Sequence, residues 1–185
     1  MEHQVIIAGF GGQGVMLIGK ILAHAGMKEG KEVSWLPSYG PEMRGGTSNC
    51  TVVVSDEPVG SPLVYRPSAV IAMNEPSLAK FEPRVAPGGV LLVNTCLAHG
   101  ARSRADVRVV PIAANDIAAA VGNARAANMA ALGAYLGSTG SVSLETAETV
   151  IREMLAGKPQ VVESNLEALR RGHALGVKAL QQEAA

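Results

Sequence analysis

Short apolar segments separated by amphipathic ones dominate the first two thirds of the chain. Residues 4–8 form a run rich in β-branched side chains that ends at a group of glycines, and apolar positions then recur at helical spacing from Val15 to Ala25. This pattern predicts a strand, a glycine turn and a helix. Residues 32–36 predict a second strand, which completes a β-α-β unit of right-handed chirality.

Four more strands are predicted downstream, at residues 48–55, 69–73, 90–94 and 107–112, so the sheet should contain about six strands. Residues 37–46 carry several prolines and glycines without helical periodicity, which predicts that a loop leads to the third strand. Because parallel strands need a crossover connection, this third strand is the candidate for an antiparallel orientation.

The C-terminal third is predicted to be helical, with helices at residues 117–136, 144–155 and 162–180 and with Ser143 as the N-cap of the middle one. No repeat or linker divides the sequence. The fold class that we predict is therefore α/β: one domain over residues 1–185, with a three-layer Rossmann-like architecture and a mostly parallel sheet.

Composition and charge narrow the possible partners. Lys and Arg number 16, as do Asp and Glu, so no basic excess exists to neutralise phosphodiesters or anionic lipid, and neither nucleic acid nor membrane is an expected partner. Charged residues make up only 17%, against about 25% in typical domains. Part of the surface is therefore expected to lie against another protein. The uncharged stretch 126–144 contains Asn128, glycines and serines, and predicts a buried helix followed by a loop.

Cysteine usage limits the redox chemistry that this chain could carry. Cys50 and Cys96 are too few for a disulfide framework, and the N-terminus does not resemble a signal peptide, so a cytoplasmic location is expected. Cys96 and His99 form one C-x-x-H pair, but a metal site needs three or four ligands. An iron–sulfur cluster of the four-thiolate kind needs more cysteines, so one-electron chemistry is expected to belong to a partner.

The strongest local motif is the glycine turn, residues 9–14, which follows the first strand and opens the first helix. Gly9, Gly11 and Gly14 satisfy G-x-G-x-x-G, a pattern in which backbone N–H groups and the positive helix end face a phosphate. The alternative is that the glycines serve only close packing. Ordinary NAD binding is disfavoured, because the second strand ends at Trp35-Leu36-Pro37-Ser38 without a carboxylate for the ribose.

A second polar cluster, residues 38–49, is expected beside that turn, at the carboxyl end of the sheet. It offers the Tyr39 phenol, the Arg44 guanidinium, several hydroxyls and glycines that allow close approach of a ligand, which suits an anionic, partly aromatic molecule. The alternative is a structural turn in which Arg44 pairs with Glu42. Asn128 could bond a ligand or a neighbouring loop, and a structural role is favoured. No catalytic triad or G-D-G thiamine diphosphate signature occurs.

Taken together, these motifs resemble the gamma subunit of the 2-oxoacid:ferredoxin oxidoreductases. The resemblance is carried by the glycine turn, by Tyr39-Gly40 and Met43-Arg44-Gly45-Gly46, by residues 69–74 and 128–133, and by Asn165-Leu166 in the last helix. It implies a part in oxidative decarboxylation, in which a 2-oxoacid, coenzyme A and oxidised ferredoxin give acyl-CoA, carbon dioxide and reduced ferredoxin. The residues at 41–43 look more like those of the 2-oxoglutarate and branched-chain members than those of indolepyruvate enzymes.

The resemblance also implies a division of labour. Thiamine diphosphate and the iron–sulfur clusters would be carried by alpha, beta and possibly delta (ferredoxin-like) subunits, while this chain would contribute to the coenzyme A site and cover the thiamine site. No catalytic residue is expected here. The implied cofactor-binding residues are Gly11, Gly12, Gln13 and Gly14 facing phosphate, Arg44 with Gly45 and Gly46 as anion partners, and Tyr39, Thr47 and Asn49 as weaker candidates for orienting ligand.

Two other functions remain open from the sequence. One is a stand-alone nucleotide-binding regulatory domain, and the other is an NADP or flavin reductase that uses Arg44 for a 2′-phosphate. Partners that bring thiamine diphosphate and iron–sulfur colour would favour the subunit, whereas a self-sufficient monomer that binds NADP would favour the reductase.

Overall fold

Six strands and six α-helices are assigned in residues 1–39, 47–100 and 104–183, the part of the chain that the computed structural model describes. The strands are β1 Glu2–Phe10, β2 Glu32–Tyr39, β3 Thr47–Ser55, β4 Ala69–Ala72, β5 Val90–Asn94 and β6 Arg108–Ile112. The helices are α1 Val15–Lys28, α2 Glu75–Phe81, α3 Ala114–Ala120, α4 Ala127–Thr139, α5 Leu144–Met154 and α6 Pro159–Glu183, with single 3₁₀ turns at Glu82–Arg84 and Ala124–Ala126.

The strands form one sheet in the order β2-β3-β1-β4-β5-β6. β1, β4, β5 and β6 pair in parallel, whereas β3 runs antiparallel to both of its neighbours, β1 and β2. The predicted six-stranded, mostly parallel sheet and its antiparallel third strand are thereby confirmed. Because no helix connects β2 to β3, the chain turns back directly and places β3 between the two strands of the predicted β-α-β unit.

Helices cover both faces of the sheet and bury two aliphatic cores. Side chains alternate between the two faces along β1. Val5 and Ile7 face α1 and belong to the larger core, which also includes residues of α4, α5 and α6. Ile6 and Ala8 face α2 and belong to the smaller core. This three-layer arrangement agrees with the predicted α/β class. Among the described residues, no helix is both long enough and apolar enough to cross a membrane.

One predicted helix, at residues 117–136, is wrong in the structure. The chain instead forms α3 and leaves helical geometry at Gly122 with a φ of 72°. It re-enters through the 3₁₀ turn, in which the Asn123 side chain accepts from the Arg125 amide. Apolar residues continue on both sides of this break, so periodicity alone did not show it. Helix α6 also begins earlier than predicted, at Pro159, because proline suits the first position of a helix.

The last three helices pack through very close backbone contacts. Gly133 and Gly137 of α4 lie against Gly172 and Gly176 of α6, and a Cβ atom on any of the four would come within 2.0–2.2 Å of a carbonyl oxygen of the other helix. Every residue of α4 from Ala127 to Ser138 is buried. The α4–α6 pair therefore forms a rigid layer, and the two helices begin at the same end of it.

Candidate functional site

The carboxyl ends of β1 and β4 mark a change in the direction of the chain. β1 leads into α1 on one face of the sheet, and its parallel neighbour β4 leads into α2 on the opposite face. The two connections diverge and leave a crevice between the strand ends. In α/β sheets, ligands bind at such a topological switch point.

The glycine turn adopts backbone conformations that need glycine at this crevice. Gly12 and Gly14 have φ values of 95° and 74°, which L side chains rarely adopt. Gly14 caps α1, and its carbonyl accepts the amides of Leu17 and Ile18. The N–H groups of Val15 and Met16 donate to no acceptor among the described residues. The turn therefore presents free amides at a positive helix end.

Gln13 fixes the turn to the neighbouring strand end. Its Oε1 atom accepts from Phe10 N at 2.6 Å and from Asn74 Nδ2 at 2.9 Å, while its Nε2 atom donates to Met73 O at 3.3 Å. Asn74 in turn caps α2 by accepting from Ser77 N. The Gln13 side chain is thus committed to protein groups, and it shapes the turn that a ligand would meet.

Two further asparagines support this edge of the sheet. Asn128 Nδ2 donates to Gly14 O at 3.3 Å, so of the two bonds considered from the sequence, to a ligand or to a neighbouring loop, the structure shows the one to the glycine turn. Asn94, at the end of β5, donates to Met73 O and to Asn115 Oδ1 and accepts from Ala114 N. Sequence reasoning missed Asn94, although a polar residue directly after a buried strand is a usable signal.

A groove of about 290 Å³ runs along the glycine turn. Gly12, Gly14 and the first turn of α1 line it together with Ser48 of β3, and a Cβ atom at Gly12 would meet no atom within 4 Å. Among the described residues, no acidic side chain lies in the first turn of α1 or lines this groove. The amides of Val15 and Met16 and the helix dipole suit an anionic group such as phosphate.

Only part of the predicted second cluster is described. Thr47 and Asn49 pair with Phe10 and Ala8, so alternation turns their side chains to the sheet face opposite the one that Ser48 shares with Gly9. Ser48, which the sequence analysis did not single out, is the member that lines the groove. The pairing of β1 with β3 determines which side chains of β3 face the groove, and this pairing is not visible from the local sequence.

Several predicted ligand contacts lie in or beside the segment that is not described. Arg44, Gly45 and Gly46, together with the alternative partner Glu42, lie outside the described residues, and the position of Tyr39 is given by its backbone alone, opposite Ser48 in the β2–β3 register. Tyr39 and Thr47, the described residues on either side of segment 40–46, are at the same sheet edge as the groove.

The cysteines and histidines of this edge do not form a metal centre in the described part of the chain. No three His, Cys, Asp or Glu side chains come together there. Glu75 receives the amides of His99 and Gly100 in a backbone turn. Burial raises the pKa of the Cys50 thiol to about 12, and Cys50 Sγ donates to Val15 O at 3.5 Å. Cys50 is therefore a packing residue beneath the glycine turn, since the thiol stays protonated.

Comparisons with known proteins show which family this chain belongs to. A family model described as pyruvate ferredoxin/flavodoxin oxidoreductase matches residues 4–175. The ketoisovalerate oxidoreductase subunit VorA of Methanothermobacter marburgensis is 44% identical over 98% of this chain and 38% of its own length. The 2-oxoglutarate synthase subunit KorC of Methanocaldococcus jannaschii is 34% identical over 94% of this chain and 93% of its own. The chain thus spans little more than a third of the ketoisovalerate relative but nearly all of the 2-oxoglutarate one.

Solved structures show the same fold. The keto/oxoacid ferredoxin oxidoreductase gamma subunit of Geobacter sulfurreducens superimposes with a TM-score of 0.82 at 31% identity, covering 95% of this chain and 99% of its own. The 2-oxoglutarate:ferredoxin oxidoreductase of Magnetococcus marinus, whose structure holds 2-oxoglutarate, coenzyme A and succinyl-CoA, superimposes with a TM-score of 0.87 at 25% identity, covering 96% of this chain and 31% of its own.

Proposed function

The chain belongs to the pyruvate ferredoxin/flavodoxin oxidoreductase family, and from that premise we propose that it is the gamma-type subunit of a 2-oxoacid:ferredoxin oxidoreductase. The enzyme would oxidatively decarboxylate a 2-oxoacid, transfer the acyl group to coenzyme A and pass the electrons to ferredoxin. Within it, this chain contributes to the coenzyme A site and covers the thiamine site. The relation to gamma-subunit structures along their full length supports this assignment.

The glycine-turn groove is the observation that supports the coenzyme A part of the proposal. Coenzyme A carries a pyrophosphate and a 3′-phosphate. The groove offers the amides of Val15 and Met16 at a positive helix end, and no carboxylate of the described residues lines it. The Magnetococcus marinus enzyme, whose chain contains a region of this fold, binds coenzyme A. In this chain, the pyrophosphate lies against the first turn of α1 and next to Gly12.

The chain's own residues act by binding and orientation. The glycine turn is fixed by hydrogen bonds from Gln13, Asn74 and Asn128. Because this turn binds the phosphate, the thiol arm of coenzyme A is directed out of the groove towards a partner subunit. Arg44, with Gly45 and Gly46, adds an anion contact from the adjoining segment, and Tyr39 orients the ligand. The side chains of Thr47 and Asn49, on the opposite face of the sheet, line the route to the thiamine. Thiamine diphosphate supplies the decarboxylation when it is bound to the partner subunits.

Electron transfer is assigned to other subunits. The chain has two cysteines, Cys50 and Cys96, whereas a four-thiolate iron–sulfur cluster needs twice that number. In this proposal the alpha and beta subunits, with a ferredoxin-like delta subunit where the complex has one, carry the clusters and the thiamine diphosphate, and ferredoxin accepts electrons from the complex. This chain completes the part of the enzyme that binds coenzyme A, the acceptor of the acyl group.

The comparisons also favour a substrate class. Identity is 44% and 46% to two ketoisovalerate oxidoreductase subunits, 34% to a 2-oxoglutarate subunit and 31% to a pyruvate subunit. We infer that the complex acts on a branched-chain 2-oxoacid. The choice is made by the thiamine-bearing chains, so the assay that tests it uses the assembled complex with 2-ketoisovalerate, 2-oxoglutarate and pyruvate in competition.

A charge placed in the groove tests the coenzyme A assignment. Met16, in the first turn of α1, lines the groove, and Met16→Glu puts a carboxylate where the phosphate would lie. We expect the apparent KM for coenzyme A of the assembled enzyme to rise about 10-fold or more. Met16 also packs against the larger core, so both polar variants lose that packing, but Met16→Glu should be at least as stable as Met16→Gln because a carboxylate near a helix amino end is favourable.

The neutral variant Met16→Gln is the matched control, since it has a similar length and no charge. It should leave the KM for coenzyme A within about twofold of the wild-type value, well below the tenfold of one charge-assisted contact. An unchanged KM in Met16→Glu, in a complex that assembles normally, would show that the groove does not hold coenzyme A phosphate.

A further inference from the structure

The outer edge of β2 has no strand partner in the described part of the chain. β2 is the last strand at one side of the sheet, and β3 is its neighbour on the inner side. From Val33 to Ser38 the strand carries no charged residue. Because charged side chains are a common means of keeping other strands away from a sheet edge, this edge is open to pairing with a further strand.

Pro37 indicates which backbone groups face outwards along this edge. It lies within the β2–β3 ladder, opposite Cys50. Because proline has no N–H group, it fits an edge strand where its nitrogen points away from the neighbouring strand. The direction of the backbone groups alternates along a strand, so those of Val33 and Trp35 also point outwards. The free edge therefore offers the N–H and C=O groups of these two residues to an added strand.

A cleft lies directly beside the free edge, and we name it the β2 cleft. It has a volume of about 340 Å³ and is lined by residues of α1 and β2, namely Lys20, Ala23, His24, Met27, Val33 and Trp35. Val33 and Trp35 thus present their backbone groups to the edge and their side chains to the cleft. Since residues directly opposite each other in a sheet share a face, a strand laid beside Val33 and Trp35 would direct its own side chains into the cleft.

The chemistry of the β2 cleft is apolar with a positive rim. Lys20 Nζ lies over the Trp35 ring, 5.2 Å from its centroid, and neither Lys20 nor His24 forms an ion pair with a described residue. No Asp or Glu lines the cleft. By contrast, the nearby Lys28 is paired with Glu153. The cleft therefore suits an apolar or aromatic side chain that is accompanied by a carboxylate.

The same charges disfavour a second copy of this chain as the occupant. If two β2 edges paired around a twofold axis, both α1 helices would lie on one face of the joined sheet and the two clefts would meet. Lys20 and His24 of one copy would then face the same residues of the other, and no carboxylate lining either cleft would compensate them. The edge therefore fits a different polypeptide, one that supplies the negative charge.

From these observations we propose that the free edge of β2 binds an extended segment of a partner subunit. The segment pairs with Val33 and Trp35 as an additional strand, places an apolar or aromatic side chain in the β2 cleft and sets a carboxylate against Lys20. In this mode of recognition, backbone hydrogen bonds provide affinity and the pocket for a side chain provides specificity. That the segment belongs to a subunit of the same enzyme rests on the proposed function.

Amide hydrogen exchange of the isolated chain and of the assembled complex tests the pairing directly. The amides of Val33 and Trp35 should exchange about 10-fold more slowly or less in the complex, because they gain hydrogen-bond partners there. The amides of Ser34 and Leu36, which point towards β3, are the internal reference and should change much less. Rapid exchange of Val33 and Trp35 in the assembled, active complex would overturn the proposal. Their protection in an isolated chain with the mass of a dimer would do the same, in favour of a second copy.

Variants at the edge test whether this contact contributes to assembly. Val33→Pro removes an outward N–H group and leaves the bonds to β3, so it should weaken the affinity for the purified partner subunits about 10-fold or more. Val33→Thr, which keeps the N–H group and the β-branched shape, is the control and should stay within about twofold of the wild-type affinity.

A charge reversal tests the cleft without altering the strand. Lys20→Glu should weaken the same affinity about fivefold, because it places a negative charge beside the carboxylate of the partner. Lys178→Glu, the same change at an exposed position of α6, is the control and should stay within about twofold.

The two assignments fail in different ways. If the wild-type chain does not assemble with thiamine-bearing subunits, the proposed function fails and the edge assignment fails with it. If the chain assembles into an active enzyme, and Val33→Pro and Lys20→Glu assemble with wild-type affinity, the proposed function stands and the edge assignment is wrong.

Discussion

At the scale of single residues, amide side chains build the candidate site and the glycines make room for the ligand. Gln13 joins β1 to the end of β4, Asn74 joins that end to α2, and Asn128 joins the turn to α4. Each amide both donates and accepts, so one side chain can link two backbone segments. The glycine turn is therefore positioned before any ligand arrives, which reduces the entropy lost on binding.

Removing the Gln13 side chain should release this turn. Gln13→Ala leaves Phe10 N without its partner, removes one of the two donors to Met73 O and takes the acceptor from Asn74. Because Gln13 is half-buried and water can replace part of these bonds, we expect the free energy of unfolding to fall by about 1–3 kcal/mol in urea denaturation. Gln13→Glu keeps both accepted bonds and should lose less. Equal stability of all three chains would mean that the network does not hold the turn.

At the scale of elements, the α4–α6 pair is held together by direct backbone contact. The two backbones touch through four glycines. A helix pair in such contact cannot slide or separate without loss of packing along its length. The position of Asn128, which bonds to the glycine turn from α4, is therefore fixed relative to α6.

Gly172→Ala should disrupt this contact. The new Cβ would lie 2.0 Å from Ala130 O, a backbone atom that cannot rotate away, so the helices must move apart. Overpacking costs about 1–3 kcal/mol or more, and the better helix propensity of alanine offsets roughly 1 kcal/mol of it. We expect a clearly lower urea midpoint. Gly157→Ala, where no atom lies within 4 Å, is the control and should be neutral or slightly stabilising.

Sequence patterns predicted most elements because each strand is a bounded apolar run. β5 at Val90–Asn94 matches its predicted bounds, and β3 was expected to be antiparallel from the loop before it. The break before α4 was missed because that helix is buried on all sides and so has no polar face to show its start. The glycine turn could be predicted, whereas the Gln13–Asn74 bond could not, because it joins residues 61 positions apart that meet only through the strand order.

At the scale of the whole molecule, part of one sheet face is not covered by any helix of the described residues. On that face, α2 packs against β1 and β4. The helix that packs against β2 and β3 is α1, which lies on the other face. Leu36 of β2, which pairs with Thr51 and points to the α2 side, is 37% exposed. With only 17% charged residues in the chain, this open face agrees with the expectation that other subunits cover part of the surface.

Activity should therefore appear only in the assembled complex. The isolated chain, assayed with 2-ketoisovalerate, coenzyme A and a viologen dye, should give no turnover, because the proposed function assigns the thiamine diphosphate and the iron–sulfur clusters to partner subunits. Adding purified partner subunits should restore turnover, and adding them with Met16→Glu should restore it only at high coenzyme A concentration. The assay follows dye reduction together with acyl-CoA formation, so that dye reduction by contaminants is not counted. Turnover by the isolated chain after removal of all bound cofactors would contradict its role as a non-catalytic subunit.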